Sequence, residues 1–212
     1  MTSSDSRRAG RPRGQQGRDL LATARETFLR QGFDGTTMHD IAARAGVSKT
    51  SLYREYPSKD ALFVAVVTDW AHQGRGAMRP HLEALLSRRD LARALEDFAA
   101  LLLEAVLSPQ VMRMRRLVAA ESERFPETAR QYYDASWRAN IDALADTLAT
   151  LDTRGDLAVD EPGTAAEQLV WLTVGGPLNR QTLCGGHLDA DEAELTDQVR
   201  YAVNTFLARY GV

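Results

Sequence analysis

Thr36 to Asp60 read TTMHDIAARAGVSKTSLYREYPSKD, and local signals cut this stretch into short helices. Thr37 can N-cap a helix from Met38, with Asp40 in the capping-box position. That helix ends at Ala45, because Gly46 takes the left-handed conformation at little cost. Ser48 caps a second helix, Lys49–Tyr56, which Pro57 terminates. Ser58 caps a longer one whose Leu62, Phe63, Val66, Val67 and Trp70 form an apolar stripe, fraying within Gly74–Pro80. Two short helices joined by Gly46-Val47 and pinned by Ile41, Val47 and Leu52 make a helix-turn-helix.

The second helix of that pair is rich in hydrogen-bond donors. Lys49, Thr50, Ser51, Tyr53, Arg54 and Tyr56 are left for a DNA major groove, whose phosphates and base edges such side chains reach. Tyr53 alternatively packs beside Leu52, and the lysines are alternatively solvated charges. Ser58 and Lys59 add a phosphate site, because unpaired N–H groups at a helix start favour an anion. Glu55 is out of place in this run; beside phosphates it must turn away or read a cytosine amino group.

Upstream, Asp19–Gln31 carries Leu20, Leu21, Ala24 and Phe28 on one helical face and stops before Gly32. The preceding residues 1–17 read as a disordered basic arm. Within it Arg7-Arg8-Ala9-Gly10-Arg11-Pro12-Arg13-Gly14 resembles the minor-groove arms of architectural proteins, with Arg11 and Arg13 as candidate DNA contacts. A solubilising basic tail is the alternative.

Charge is distributed to match. The 212-residue chain has formal net charge −3, which by itself argues against a nucleic-acid partner. Through Asp60, however, nine arginines and two lysines face seven acids, for +4, leaving −7 on the remainder. Lys49 and Lys59 are the only lysines in the sequence, against 24 arginines, and both lie in the cationic segment.

Phe28, Gly32-Phe33, Thr36-Thr37, Ile41-Ala42, Ala45-Gly46-Val47-Ser48-Lys49, Leu52-Tyr53 and Tyr56-Pro57-Ser58-Lys59-Asp60 together resemble the tetracycline-repressor (TetR/AcrR) family of bacterial transcriptional regulators. The resemblance implies phosphate contacts by Thr37, Tyr53 and Lys59, with Lys49, Thr50, Ser51 and Arg54 along the groove. Thr36 and Ser48, in the same motif, complete the DNA-binding candidates. Glu55 departs from the aromatic or histidine common there.

Beyond this segment the punctuation stays helical. Leu91, Leu95, Phe98, Leu102 and Ala105 share a face; Ser108-Pro109 reads as N-cap and first residue of the next helix; Phe125-Pro126 marks another boundary. The helix after it holds Tyr133, Trp137, Ile141, Leu144, Leu148 and Leu151 and stops at Gly155. Asp160 with Pro162 opens a helix to about Cys184, kinked at Gly175-Gly176-Pro177; Gly185-Gly186 is a loop; Asp189 caps a last helix through Tyr210. No stretch alternates with period two. The expectation is an all-α fold of about nine helices: residues 1–17 as arm, 18–62 as a three-helix DNA-binding domain, 63–212 as a ligand-binding and dimerisation domain.

Arg115–Tyr133, with Ala119-Ala120-Glu121-Ser122-Glu123-Arg124-Phe125-Pro126-Glu127, more loosely resembles the ligand-binding region of a subgroup tied to efflux or quorum-linked control. Val111, Met114, Val118, Glu121 and Phe125 fall on one stripe, where Glu121 either pairs with an internal arginine or orients a ligand. Phe98, Leu102, Met114, Val118, Tyr133, Trp137 and Trp171 suit a mostly apolar pocket, with Asn140 and Asn179 as polar candidates; core packing is the alternative for each. One helix-turn-helix buries too little area for operator affinity, so a homodimer on a palindromic operator is expected. The family resemblance puts the interface on the last two helices, with Leu169, Leu172, Thr173, Val199, Val203, Phe206 and Tyr210 as candidates unless they close the monomer core.

His39, His72, His81 and His187 lack metal-ligand spacing with each other or with Cys184, and no phosphate loop, nucleophile elbow or dinucleotide fingerprint occurs. No catalytic residue, metal or cofactor is expected. A lone cysteine without a secretory signal fits the cytoplasm, and no apolar run approaches the ~20 residues of a membrane span. The expected partners are double-stranded operator DNA, a second copy and an unidentified small-molecule effector that swings the helix Lys59–Trp70. Repression is the leading expectation. Activation is the alternative, and a carrier or enzyme with a vestigial DNA head is a more distant one.

Overall fold

A computed structural model describes residues 13–87, 89–184 and 191–212. These form helices throughout, with no strand among them and a single antiparallel bridge between Leu157 and Gly211. The chain divides into two compact units, one ending at Asp69 and the other beginning at Trp70. The arm residues through Pro12, with Arg7, Arg8 and Arg11, the Gly185-Gly186 loop, His187 and the cap assigned to Asp189 lie outside the described residues.

The first unit holds α1 (Arg13–Gln31), α2 (Met38–Ala45), α3 (Lys49–Glu55) and the start of α4 (Lys59–Gly74). Helix α1 begins at Arg13, so residues 13–17, expected in the arm, are helical. Its stop is the expected one: Gly32 has φ +72° and its N–H donates to the Phe28 carbonyl at 2.8 Å. The core is aromatic. Phe28 and Phe33 stack at 6.0 Å, and Phe63 meets both edge-on at 5.5 and 5.1 Å. Such edge contacts add about 0.5–1.5 kcal/mol beyond area burial.

The second unit holds α5 (Arg79–Ser87), α6 (Leu91–Leu107), α7 (Pro109–Ala120), α8 (Pro126–Tyr132), a π-helical segment (Tyr133–Arg138), α9 (Ala139–Thr153), α10 (Pro162–Cys184) and α11 (Glu192–Tyr210). Helix α5 goes beyond the expected elements; Leu82 and Leu85 bury its inner face, and Pro80 sits in its first turn where no donor is missed. Asp90 caps α6 through the Arg93 N–H at 3.0 Å. Ser108 makes no side-chain cap for α7: its hydroxyl donates backward to the Ala105 carbonyl at 2.8 Å. Helix α10 continues through Pro177. Helix α11 is capped by Asp191.

Candidate nucleic-acid interface and effector cavity

The turn between α2 and α3 follows from its residues. Thr37 Oγ1 accepts the Asp40 N–H at 3.1 Å and donates to the Asp40 carboxylate at 2.7 Å. Gly46 sits at φ +65°, its N–H bonding Ala43 while the Val47 N–H reaches Ala42 at 3.0 Å, a Schellman stop. Ser48 then caps α3 through the Ser51 N–H at 3.1 Å. Ile41 and Leu52 are fully buried between the helices.

That packing turns the rest of α3 outward. Lys49, Thr50, Tyr53 and Arg54 are exposed, Tyr53 by 51%. Thr37 and Ser48 are also exposed at the helix starts. Ser51 is half-buried, its hydroxyl accepting from Ser48 at 2.9 Å.

Three expected contacts are placed otherwise. Thr36 is buried, with its hydroxyl donating to the Gly32 carbonyl at 2.7 Å, so it closes the α1–α2 loop and offers nothing to a groove. Tyr56 is half-buried and its hydroxyl donates to Glu55; burial first, then the Glu55 and Asp69 charges, push its pKa up. That bond also engages the anomalous Glu55 carboxylate.

Lys59 reaches back across the unit. Its ammonium donates to the Phe33 carbonyl at 2.8 Å, approaches that of Asp34 at 3.4 Å, and lies 4.3 Å from the Phe33 ring centroid. It staples the α1–α2 loop. The Ser58 Oγ likewise accepts the Ala61 N–H at 3.1 Å, so the start of α4 is capped from within. The side chain of Arg13 lies outside the described residues.

The second unit encloses a cavity of about 660 Å³ lined from six of its helices and the end of α4. Of the expected lining, Phe98, Leu102, Trp137 and Asn140 face it. Met114 and Val118 are buried outside the lining. Glu121 ends α7, half-buried, with its backbone N–H on Leu117, and does not reach the cavity. Trp171 stands behind Trp137, rings parallel at 5.5 Å, with 43% of its surface exposed. Asn179 is exposed and away from the lining.

Tyr133 is replaced by its neighbour. It is 41% exposed, whereas Tyr132 is 7% exposed and lines the cavity. The π-helical segment explains the shift. An α-helical face pairs Trp137 with the residue four before it; a turn closed by i→i+5 bonds, such as Ala139 N–H to the Asp134 carbonyl, pairs it with the residue five before. Sequence reasoning also missed Trp70, Gln73, Met78, His81, Ser108, Val111, Ser136 and Val170, which come together from separate helices. Trp70 and Val111 stood out only as members of apolar stripes and Ser108 only as a cap, while the polar Gln73, His81 and Ser136 carried no signal.

Burial pushes the pKa of Tyr132 up, partly offset by the charge of Arg115. Arg115 also lies 5.3 Å from the Trp137 ring centroid. Among the described residues the cavity has no lysine or arginine in its lining, and no cluster of residues fit to hold a metal occurs.

The expected interface residues mostly close the second unit's own core. Leu169, Thr173, Val199, Val203, Phe206 and Tyr210 are all buried, the Thr173 hydroxyl on the Leu169 carbonyl and the Tyr210 hydroxyl on Gln168 at 2.8 Å. The strongest apolar stripe of each helix went inward. Leu172 alone of that set is exposed; beside it Gln198 of α11 donates to its carbonyl, and Tyr201 is 62% exposed. Arg180 and Glu194 clip α10 to α11 by two hydrogen bonds.

Comparison with known proteins places both parts of the chain in one family. Residues 20–66 match the family of bacterial regulatory proteins called tetR, and residues 93–212 match the C-terminal domain of AefR-like transcriptional repressors. The chain belongs to the TetR family of transcriptional regulators. It is similar to the HTH-type transcriptional regulator RutR of Escherichia coli K12, 50% identical over 48 residues. That match spans 23% of each chain, about a quarter of the relative's length. A TetR-family regulator structure from Mesorhizobium loti superposes with TM-score 0.89 at 28% identity, covering 95% of this chain and 100% of that one. The flavonoid-responsive regulator FrrA superposes with TM-score 0.71 at 30% identity, covering 93% and 98%. As a TetR regulator the chain carries a DNA-binding domain and is not an enzyme. No helix among the described residues is long and apolar enough to cross a membrane.

Proposed function

We propose that this TetR regulator is a cytoplasmic, homodimeric repressor that binds a palindromic operator and is released by a small, largely apolar effector. The observation that carries the reading is the apolar cavity of about 660 Å³, a ligand-sized volume, on a chain that also bears a helix-turn-helix. On the DNA side Lys49, Thr50, Tyr53 and Arg54 lie along the groove, with Thr37, Ser48 and Ser51 at the helix starts, Arg11 in the arm and Arg13 at the start of α1. A second copy docks on exposed Leu172 and Tyr201.

Helix α4 is continuous from Lys59 to Gly74, and Trp70, Gln73 and Gly74 line the cavity. A ligand that displaces these three displaces the helix that starts at the Lys59 staple. The flavonoid response named for FrrA and the AefR-like repressor match support an apolar effector and negative control.

A selection from random DNA tests the reading. A palindromic consensus is expected, bound more weakly by Tyr53→Ala and Arg54→Ala; a selection that enriches nothing, or variants that bind as wild type, contradicts it. Deleting residues 1–14 is expected to weaken binding and flatten its salt dependence. A reporter gene downstream of the selected site then reads the sign of regulation: loss of the protein raises expression for a repressor and lowers it for an activator.

A further inference from the structure

The cavity wall around the π-helical segment contains one hydroxyl that the fold leaves unused. Tyr132 is 93% buried, taking its 7% exposure, and lines the cavity. Its polar neighbours are committed internally. The Ser136 hydroxyl donates to the Tyr132 carbonyl, the Asn140 amide donates to the carbonyls of Ser136 and Gly74, and the Ser108 hydroxyl donates to Ala105. Among the described residues no group accepts from or donates to the Tyr132 hydroxyl. Since no buried side-chain polar atom among the described residues lacks a partner, the Tyr132 oxygen opens onto the cavity, where a ligand can supply its hydrogen bond.

The charge of the lining narrows the ligand further. Among the described residues Glu104 and His81 are its only acidic and basic side chains, and no arginine or lysine lines it. A carboxylate or phosphate entering so apolar a cavity finds no lysine or arginine in its wall and only His81 as a basic group, so most of its lost hydration goes uncompensated. Phe98, Trp137 and Tyr132 give the wall an aromatic surface instead.

We infer that Tyr132 is the polar anchor of the effector site, donating its hydroxyl to an oxygen of an uncharged, largely aromatic ligand. The inference rests on the proposed reading of the cavity as the effector site and adds the ligand's class and its hydrogen-bond donor. The donor role requires the proton to stay on the phenol, and burial favours that neutral form.

Flavanone and flavan share a skeleton and differ only at C4, carbonyl against methylene, and flavanone-6-carboxylate supplies the anionic counterpart. Calorimetric titration of the full chain with each is the test. Flavanone is expected to bind about tenfold tighter than flavan, and Tyr132→Phe to erase that difference while leaving flavan unchanged. Tyr132→Phe removes only an unpartnered hydroxyl, so its melting temperature is expected at or above wild type. Equal affinities for flavanone and flavan on the wild type, an equal loss of both on Tyr132→Phe, a carboxylate that binds as tightly as flavanone, or no binding of any probe up to its solubility overturns the inference. Leu102→Trp, which narrows the cavity, is expected to weaken binding of flavanone and flavan alike. If both bind that variant as tightly as wild type, the reading of the cavity as the effector site fails instead, whatever Tyr132→Phe does.

Discussion

Replacing Lys59 by methionine separates two roles for one lysine. The family resemblance assigns it to phosphate, whereas the structure puts its ammonium on the Phe33 carbonyl at 2.8 Å and 4.3 Å from the Phe33 ring centroid. A hydrogen bond from a charged donor contributes about 1.5–3 kcal/mol, and a partly exposed cation over a ring about 0.5–1. The 3.4 Å approach to Asp34 is too long to add much. Methionine keeps most of the apolar stem, so little packing is lost. Lys59→Met should therefore destabilise the first unit by about 2 kcal/mol, which accelerates exchange of its protected amides on the order of thirtyfold. Hydrogen exchange read by mass spectrometry over residues 32–36 and 59–62 measures this directly. The salt dependence of operator binding supplies the contrast, because each phosphate contact contributes a slope of about 0.9. Faster exchange with an unchanged slope is expected. Unchanged exchange with a slope lowered by about one would show that Lys59 serves phosphate and that the staple is incidental.

Other substitutions probe separate parts of the molecule. Gly46 has φ +65° and open space where a Cβ would project, so Gly46→Ala should cost only the left-handed backbone, about 1–2 kcal/mol, in urea unfolding of the first unit. Leu172→Arg or Tyr201→Arg should shift the protein to monomer in sedimentation and weaken operator binding; a dimer that survives both places the interface elsewhere. Glu194 is held below the ordinary carboxylate range by its hydrogen bonds to Arg180. Its contribution is therefore full above the ordinary value and disappears as pH falls through the lowered one. The melting temperature of Glu194→Gln should accordingly lack that acid-side decline, and identical pH profiles would remove the clip from the account.

The legible parts of the sequence are those decided within a few residues. Thr37, Gly46, Ser48 and Ser58 each act on backbone groups at most four positions away, so caps and turns are written locally and α2 and α3 begin where they are read. The staple was hidden because Lys59 and Phe33 are 26 positions apart. Periodicity located the apolar stripes of α10 and α11 but not their destination. Val199, Val203 and Phe206 form the better stripe, and the monomer core claims it, leaving Leu172 and Tyr201 outside. The cavity was half legible for a related reason. Phe98 and Leu102 follow from α-helical spacing on α6, whereas one extra residue in the π-helical turn moves the lining role from Tyr133 to Tyr132.

The central claim is that occupancy of the cavity and occupancy of DNA oppose one another. Linkage makes that claim reciprocal: whatever factor a ligand takes from operator affinity, operator must take from ligand affinity. Flavanone affinity, measured by calorimetry with and without saturating selected operator, is the direct test. The account predicts weaker binding in the presence of operator, by the same factor that flavanone imposes on operator binding. Equal flavanone affinities in the two conditions would contradict it.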